Sequence, residues 1–532
     1  MSTSAHFYKD PQNVFDSIDY QLTLEPSTLT ELVKAFLNEF KVGLGSYNHP
    51  MAMIPTFVTG VPDGTETGTF LALDLGGTNL RVCEVVLNGD KTFSLRQQKY
   101  KVSEALKTGE ATVLFDYLAA SVDAFLTSHP AEEFNANSGS TDAIHLGLTF
   151  SFPVEQTALA SGKILTWTKG FSAKNAIGHD VVKLLQDAFD RKHMHVKCVA
   201  LVNDTVGALL SRAYTAGGCI LGSIFGTGTN GAYIEEVGKT LDGTPANNTL
   251  TSMDSTAKIT KLANTPAAAQ GGYMIVNTEW GAFNNSRTHL PFTPYDNAVD
   301  RTSINPRFQA FEKLISGMYL GEITRHILLS LIDAAPKALL FGGKVTPSLN
   351  KQWGLDTSVM SDVEEAWEGQ NTDDADNLPR YSSFDAEKLS PSLKAKLERV
   401  QKVVVSKLGF AEGDVSLLDA SIVRWVCHLV ARRAALLSGV AVAAVLVQTE
   451  RATLPDAEGK FGKSTSDEKI GVGVDGRRVV LIQFYPNFER TMRESLRFLV
   501  GEEIEKRVDI GLAKDGSGVG AALCALQALK QM

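Results

Sequence analysis

The sequence predicts an α/β chain built from two related lobes, and three observations carry that prediction. The first is a glycine hairpin. The apolar run Leu71-Ala72-Leu73 leads into Asp74-Leu75, then Gly76-Gly77-Thr78-Asn79, then a second apolar run through Val86. Glycine accepts positive φ without steric cost, so Gly76 and Gly77 can build a tight turn between two antiparallel strands. With no side chains in the way, the backbone N–H groups of such a turn can meet phosphate oxygens. The second observation is another copy of this design at Ser223-Ile224-Phe225-Gly226-Thr227-Gly228-Thr229-Asn230-Gly231. Two such hairpins, well apart in one chain, indicate an internal repeat whose halves close on one polyphosphate. The third is composition. A chain of 532 residues, 44% apolar and 21% charged, fits two to four domains of roughly 150 residues with ordinary cores.

Charge and cysteine usage narrow the class. A net charge of −9 argues against a nucleic-acid or anionic-membrane partner. Cys83, Cys198, Cys219, Cys427 and Cys524 are scattered, with no C-x-x-C pair, which suits reduced thiols. The start, Met1-Ser2-Thr3-Ser4-Ala5-His6, has neither a basic n-region nor an apolar h-region. Ser2 also excludes myristoylation, so the expectation is a cytoplasmic protein. The longest uncharged apolar run, Ala434 to Val447, is shorter than the ~20 residues that cross a bilayer and reads as a buried helix.

In chain order, the first clear helix is Leu29 to Phe40, with Leu29, Leu32, Val33, Phe36 and Phe40 on one stripe. Thr28 and Glu31 have the spacing of a capping box at its start. Pro55 to Gly68 is a connector before the first hairpin. A helix near Val113 to Leu126 and a strand at Ile144 to Phe150 follow. A second lobe starts near Val202, runs through the second hairpin, and becomes mostly helical from Leu417 to Val447. The polar stretches Lys239 to Gln270 and Glu365 to Asp385 read as surface insertions, being too poor in apolar residues to order themselves. Ala457-Glu458-Gly459-Lys460-Phe461-Gly462-Lys463-Ser464 fits a relaxed Walker A pattern, but no buried strand precedes it and polar residues follow, so it reads as a surface loop.

Four clusters carry chemistry. Phe150-Ser151-Phe152-Pro153 follows the strand at 144–150, and Trp167-Thr168-Lys169-Gly170-Phe171 comes shortly after. Ser151, Thr168 and Lys169 set hydrogen-bonding groups on loops beside aromatic anchors, the layout of a carbohydrate or polyol pocket, while Trp167 itself reads as a core aromatic. Leu201-Val202-Asn203-Asp204-Thr205-Val206-Gly207 ends a strand in three polar residues and opens a helix. Capping needs only one such residue, so three suggest a ligand site, and a carboxylate there could accept a hydroxyl proton during phosphoryl transfer. Val276-Asn277-Thr278-Glu279-Trp280-Gly281 places an acid beside an aromatic after a strand. Ser316-Gly317-Met318-Tyr319-Leu320-Gly321-Glu322 lies inside an amphipathic helix expected to begin near Phe308. Each glycine weakens a helix by about 1 kcal/mol, which points to close backbone approach there.

These segments, with Asp515-Gly516-Ser517-Gly518-Val519-Gly520, occur in the order of the eukaryotic hexokinase motifs, and the chain resembles that family from roughly Phe15 onward. The Gly-Thr-Gly-Thr-Asn and Asn-Thr-Glu-Trp-Gly versions are most like its fungal glucokinase branch. The resemblance implies the actin-like ATPase (ribonuclease H-like) fold, two α/β lobes with a deep inter-lobe cleft. It implies an N-terminal helical segment over 1–62, a small lobe over 63–201, a large lobe over 202–516 and a C-terminal helix over 517–532. The implied reaction is ATP-dependent phosphorylation of glucose, or of hexoses more broadly, at the 6-hydroxyl, with Asp204 as catalytic base. Ser151, Thr168, Lys169, Asn203, Asp204, Asn230, Glu279 and Glu322 would ring the sugar. Asp74, Leu75, Gly76, Gly77, Thr78, Asn79, Arg81, Lys99, Thr227, Gly228 and Ser517 would contact the nucleotide, with Mg2+ carried on the ATP phosphates and no direct protein ligand. One departure stands out. Where the family reads Gly-x-Asp-Gly followed by Ser or Thr, this chain has Gly473-Val474-Asp475-Gly476-Arg477-Arg478. Two other readings fit the same fold: a sugar-binding regulator without catalysis, and an actin- or chaperone-type ATPase. Asp204 and both hairpins weigh against the first, and the Ser151 and Thr168-Lys169 cluster against the second.

Overall fold

The computed structural model describes residues 10–76, 79–128, 143–168, 170–238, 258–262, 272–368, 381–456, 458–462, 467–475 and 487–531. Its strands are β1 (Ile54–Pro55), β2 (Thr67–Leu75), β3 (Asn79–Asn88), β4 (Phe93–Lys101), β5 (Ile144–Phe150), β6 (Val154–Ala158), β7 (Ser161–Ile164), β8 (Val196–Val202), β9 (Cys219–Phe225), β10 (Thr229–Gly238), β11 (Gly272–Asn277), β12 (Ile470–Asp475) and β13 (Val508–Leu512). The helices that matter below are α1 (Gln12–Leu22), α2 (Pro26–Gly45), α3 (Ala111–Ser128), α4 (Val181–Arg191), α5 (Asp204–Ala216), α6 (Ala310–Ile315), α7 (Gly317–Ile332), α8 (Leu417–Gln448), α9 (Phe488–Val500) and α10 (Gly516–Gln531).

The internal repeat is visible in the sheet topology. One sheet has the order β4-β3-β2-β5-β8, the other β1-β11-β10-β9-β12-β13. In each, three consecutive strands form an antiparallel meander, and two later strands join in parallel on the side of the first. The short β1 merely extends the outer edge of the second sheet. Two copies of this five-strand unit make the two-lobed, ribonuclease H-like architecture of the actin-like ATPases.

The lobes are joined by an exchange of helices. α5 leaves the last strand of the first sheet, yet it packs on β9, β10 and β12 of the second. α10 leaves the last strand of the second sheet and packs on β2, β5 and β8 of the first. The close approaches fall on glycines. A Cβ on Gly222 would strike the Thr205 carbonyl under α5, and one on Gly147 would strike the Ala521 carbonyl under α10. The two helices also cross each other, where a Cβ on Gly520 would run into the backbone of Gly207. Side chains pin the crossing. Thr149 Oγ1 donates to the Ser517 carbonyl at 2.7 Å, and Ser211 Oγ to the Lys514 carbonyl at 2.6 Å. One hydrophobic core therefore draws Ala72 and Val85 from the first sheet, Leu209 from α5, Val519 and Leu523 from α10, and Ile275 from the second sheet.

The remaining elements fill in around these layers. α3 and α4 cover the outer face of the first sheet, and the predicted 144–150 strand is β5 to the residue. The run at 434–447 lies inside the 32-residue α8, buried among α2, α9 and the second lobe's helices. Its Arg433 is fully enclosed and pairs in bidentate fashion with Asp296 (2.8 and 2.6 Å).

Three local expectations need correction. α2 begins at Pro26 behind Glu25, with no side-chain cap, so Thr28 and Glu31 form no capping box. Proline at the first helical position starts the helix upstream of them, because its missing N–H and fixed φ suit that site. The helix expected from Phe308 is broken at Ser316, which is extended (φ −90°, ψ 145°), leaving α6 and α7. Of the 365–385 stretch, 365–368 end a helix whose Trp367 is buried, and 369–380 lie outside the described residues, as do 239–257 and 263–271. The Walker-like segment is a turn in its described part, with Glu458 and Lys460 donating backbone N–H to Asp456 Oδ1.

Gly520→Ala should lower thermal stability by about 1–3 kcal/mol, since the methyl group has only helix backbone to displace. Differential scanning calorimetry against wild type checks this; an unchanged midpoint would mean that α5 and α10 can move apart freely.

Candidate functional site

Parallel strands offer ligands their C-terminal ends, where the sheet stops and loops begin. In the first sheet, one row of neighbours runs Lys99, Arg81, Asp74, Thr149, Val202. Immediately beyond it come Gly76, Ser151, Asn203 and Asp204. In the second sheet, Asp475, Ile224 and Asn230 form the matching row. The helix crossing brings the two rows together, because Gly207 is one turn after Asp204 and contacts Gly516, while Gly516 sits against Asp475.

Asn203 caps α5. Its Oδ1 accepts from the Thr205 N–H (2.9 Å) and Thr205 Oγ1 (2.7 Å), which fixes its rotamer. Asp204 is the first residue of the helix and accepts from the same N–H at 3.0 Å. Ser151 directly follows β5 and is half-buried; Thr168 is exposed, its carbonyl accepting from Phe171 N in a turn. Trp167 is a packing residue as expected, stacked on Phe171 and edge-on to Phe152, with its indole N–H on the Ala173 carbonyl. Lys169 lies outside the described residues.

The facing wall comes from the second lobe. Asn230 Nδ2 donates to Asn277 Oδ1 (2.8 Å) and Glu279 Oε1 (3.3 Å), and Asn277 Nδ2 donates to the same Glu279 oxygen (2.8 Å). Glu279 is held in the left-handed region (φ 57°), beside the fully buried Trp280, whose Nε1 donates to Thr229 Oγ1. Two residues not anticipated from the sequence border this wall. Glu312 on α6 accepts the Thr229 N–H at 3.0 Å, and Gln309 occupies the space in front of Gly281.

Glu322 is elsewhere, contrary to expectation. Its carboxylate is completely buried and accepts from Arg325 Nε (2.8 Å), Arg325 Nη2 (2.6 Å) and the Trp353 N–H (2.9 Å). Every strong acceptor direction is occupied by structural partners. On one uninterrupted helix Glu312 and Glu322 would lie about 80° apart, so periodicity alone could not choose between them. The break at Ser316 decides the matter, carrying Glu312 to Thr229 and beside Gly228 and Gly281. That break is forced by the second glycine turn, whose Gly226 and Thr227 carbonyls accept the Gly317 and Met318 N–H groups. Gly321 is required, as its spacing suggested, by close approach of the Leu355 carbonyl.

Around the first glycine turn, Gly76 N donates to the Asn79 carbonyl at 3.1 Å, and Leu75 is buried beneath; Gly77 and Thr78 lie outside the described residues. Arg81 bonds Asp74 and stands 3.5 Å from Asp515, so one guanidinium bridges two carboxylates. Lys99 is exposed beside it. In the second turn Thr227 is exposed and Gly228 half-buried, and Ser517 lies in the first turn of α10. Arg477 is outside the described residues. Among the described residues, no group of three or more His, Cys, Asp or Glu side chains is arranged to hold a metal. The Asp74 carboxylate beside the first glycine turn suits a water-mediated contact with a Mg2+ ion carried on nucleotide phosphates.

Two family models, both described as Hexokinase, match residues 14–214 and 220–527. The chain is 39% identical to the glucokinase of Aspergillus niger, over 94% of this chain and 93% of that one. It is 36% identical to glucokinase-1 of Saccharomyces cerevisiae, over 96% and 95%. Among solved structures it is similar to a Schistosoma mansoni hexokinase complexed with glucose, with a TM-score of 0.73 and 32% identity over 97% and 100%.

The two glutamates should separate by experiment. Burial raises the pKa of Glu322, but Arg325 and His326 more than offset this, so the net shift is below the ordinary 4.5. Its contribution to stability is complete above pH 4.5 and fades as pH falls through the lower native value. Glu322→Gln should therefore lower the thermal midpoint at pH 7, by about 3 kcal/mol of stability, because it strands a buried guanidinium. Glu312→Gln should lower it far less; equal losses would remove the distinction drawn here.

Proposed function

The chain belongs to the hexokinase family, and from that premise we propose that it transfers the γ-phosphoryl group of ATP to the 6-hydroxyl of glucose. The observation that carries this reading is the placement of Asp204. It opens α5 at the end of β8, next to the helix crossing that gathers Asp74, Arg81, Asp515 and Gly516. A base at that point stands between a polyol-binding wall and a phosphate-binding turn.

In the proposed reaction, the 6-hydroxyl oxygen forms a bond to the γ-phosphorus, its proton passes to an Asp204 carboxylate oxygen, and the bond from the γ-phosphorus to the β–γ bridging oxygen breaks, its electron pair leaving with ADP. Ser151, Thr168 and Lys169 hold the sugar from the first lobe, and Asn203 and Asp204 from the start of α5. Asn230, Glu279 and Glu312 hold it from the second. Hydroxyl groups each donate and accept, and the Asn230–Asn277–Glu279 array offers amides and a carboxylate already fixed in position. A site of this kind rejects analogues that lack a hydroxyl, because buried polar groups would be left unpaired. The nucleotide is assigned to Asp74 through Asn79, Arg81, Lys99, Thr227, Gly228 and Ser517, with Mg2+ carried on its phosphates. When bound, that ion draws charge from the phosphoryl oxygens. Closure of the lobes over the sugar keeps water from the phosphoryl group. All five cysteines are buried free thiols, which fits the reducing cytoplasm proposed as its location.

A coupled assay for glucose 6-phosphate with glucose and MgATP tests the activity, and a sugar-binding protein without catalysis would bind glucose and yield none. Asp204→Asn should reduce kcat by about a hundredfold or more while glucose binding persists, since a positioned base is worth ~10² to 10⁴. Near-normal kcat in the folded variant would remove Asp204 from the role of base.

A further inference from the structure

We infer that Glu39 on α2, outside the cleft, is a positioning residue that holds the Glu279 loop in its sugar-binding shape. The inference rests on the proposed role of Glu279. The loop from Asn277 to Asn285 needs outside support, because Glu279 (φ 57°) and Asn284 (φ 51°) both sit in the left-handed region. Such residues are strained and persist only when their surroundings over-determine them.

α2 supplies that support at both ends of the loop. At the far end, a Glu39 carboxylate oxygen accepts the Asn284 N–H at 3.0 Å, and Phe36 stacks on Phe283 with ring centroids 3.7 Å apart. Phe36 also meets Phe311 edge-on, next to Glu312, and Asn285 Oδ1 accepts the Ala310 N–H at the start of α6. The two cleft carboxylates are thus braced by one patch of α2. At the near end, Met53 N donates to the Thr278 carbonyl at 3.1 Å. Lys261 Nζ ties that segment to the end of α2 by donating to the Gly43 (2.7 Å), Ala52 (2.8 Å) and Met53 (2.5 Å) carbonyls.

A carboxylate is an expensive choice for a mere packing position. Burial pushes Glu39 up to about 7, only partly countered by the Asn284 N–H. Its raised value means that stability is greatest while it keeps its proton and is lost as pH rises through about 7. Removing the charge should therefore not harm stability in alkali, which separates a structural role from a positioning one.

The test compares Glu39→Ala and Glu39→Gln with wild type at pH 8, reading glucose affinity by tryptophan fluorescence, KM for glucose and for ATP, and the thermal midpoint. Glu39→Ala should weaken glucose binding about tenfold, the value of one hydrogen bond, with KM for ATP within twofold. Glu39→Gln keeps a carbonyl for the Asn284 N–H, so it should restore glucose affinity to within about threefold and hold the midpoint at or above wild type. Glucose affinity in Glu39→Ala within twofold of wild type overturns the inference. So does a rise in both KM values together with a lower midpoint in both variants, which would mark Glu39 as scaffold. Glucose binding by the wild-type chain without turnover would instead count against the proposed activity alone.

Discussion

Everything in this molecule is referred to the point where α5 and α10 cross. Each helix ends one lobe in sequence and completes the packing of the other in space, and the contact is backbone against backbone at Gly207 and Gly520. No side chain could be accommodated there, so the distance between the two sheets is set by main-chain dimensions rather than by interchangeable apolar volume. The residues that open the two helices, Asp204 and Gly516–Ser517, are located by the same contact. The proposed base and Ser517, proposed to face the nucleotide, thus lie within a turn or two of a single crossing.

Away from the joint, the two walls of the cleft use polar groups differently. The first lobe and the start of α10 contribute charge, with Arg81 between Asp74 and Asp515. The second lobe contributes a hydrogen-bonded lattice of amides and carboxylates around Asn230, Asn277 and Glu279. Charge suits phosphate and its cation, and fixed amides suit hydroxyls, but both lobes enter both proposed sites: Ser151 and Thr168 of the first are assigned to the sugar, Thr227 and Gly228 of the second to the nucleotide. Glu312 joins the two features of the second lobe. It borders the amide lattice while holding the Thr229 N–H of the second glycine turn.

Much of this was legible in the sequence because it depends on short-range pattern. The glycine hairpins, the 144–150 strand and the polar strand end at Asn203-Asp204 each declare themselves within about ten residues, where periodicity and turn chemistry are decisive. What was not legible depends on long-range packing. The choice of Glu312 over Glu322 follows from a helix break imposed by carbonyl groups some ninety residues upstream. The Thr28 and Glu31 pair satisfied a local rule, but a proline two residues earlier satisfied another and won. Nothing in the sequence around Glu39 ties it to a loop some 240 residues away; only the fold brings α2 beneath Asn284.

The exchanged helices also bear on how the chain is made. A ribosome delivers the first sheet early, yet the face of that sheet lined by Ala72, Val85 and Val199 is covered by Val519, Ala522 and Leu523, which are synthesised hundreds of residues later. Throughout translation of the second lobe, the first therefore presents an uncovered apolar face in the crowded surroundings of the growing chain. The first two turns of α10 act as a keystone, and the face they cover is most exposed to non-native association before they arrive.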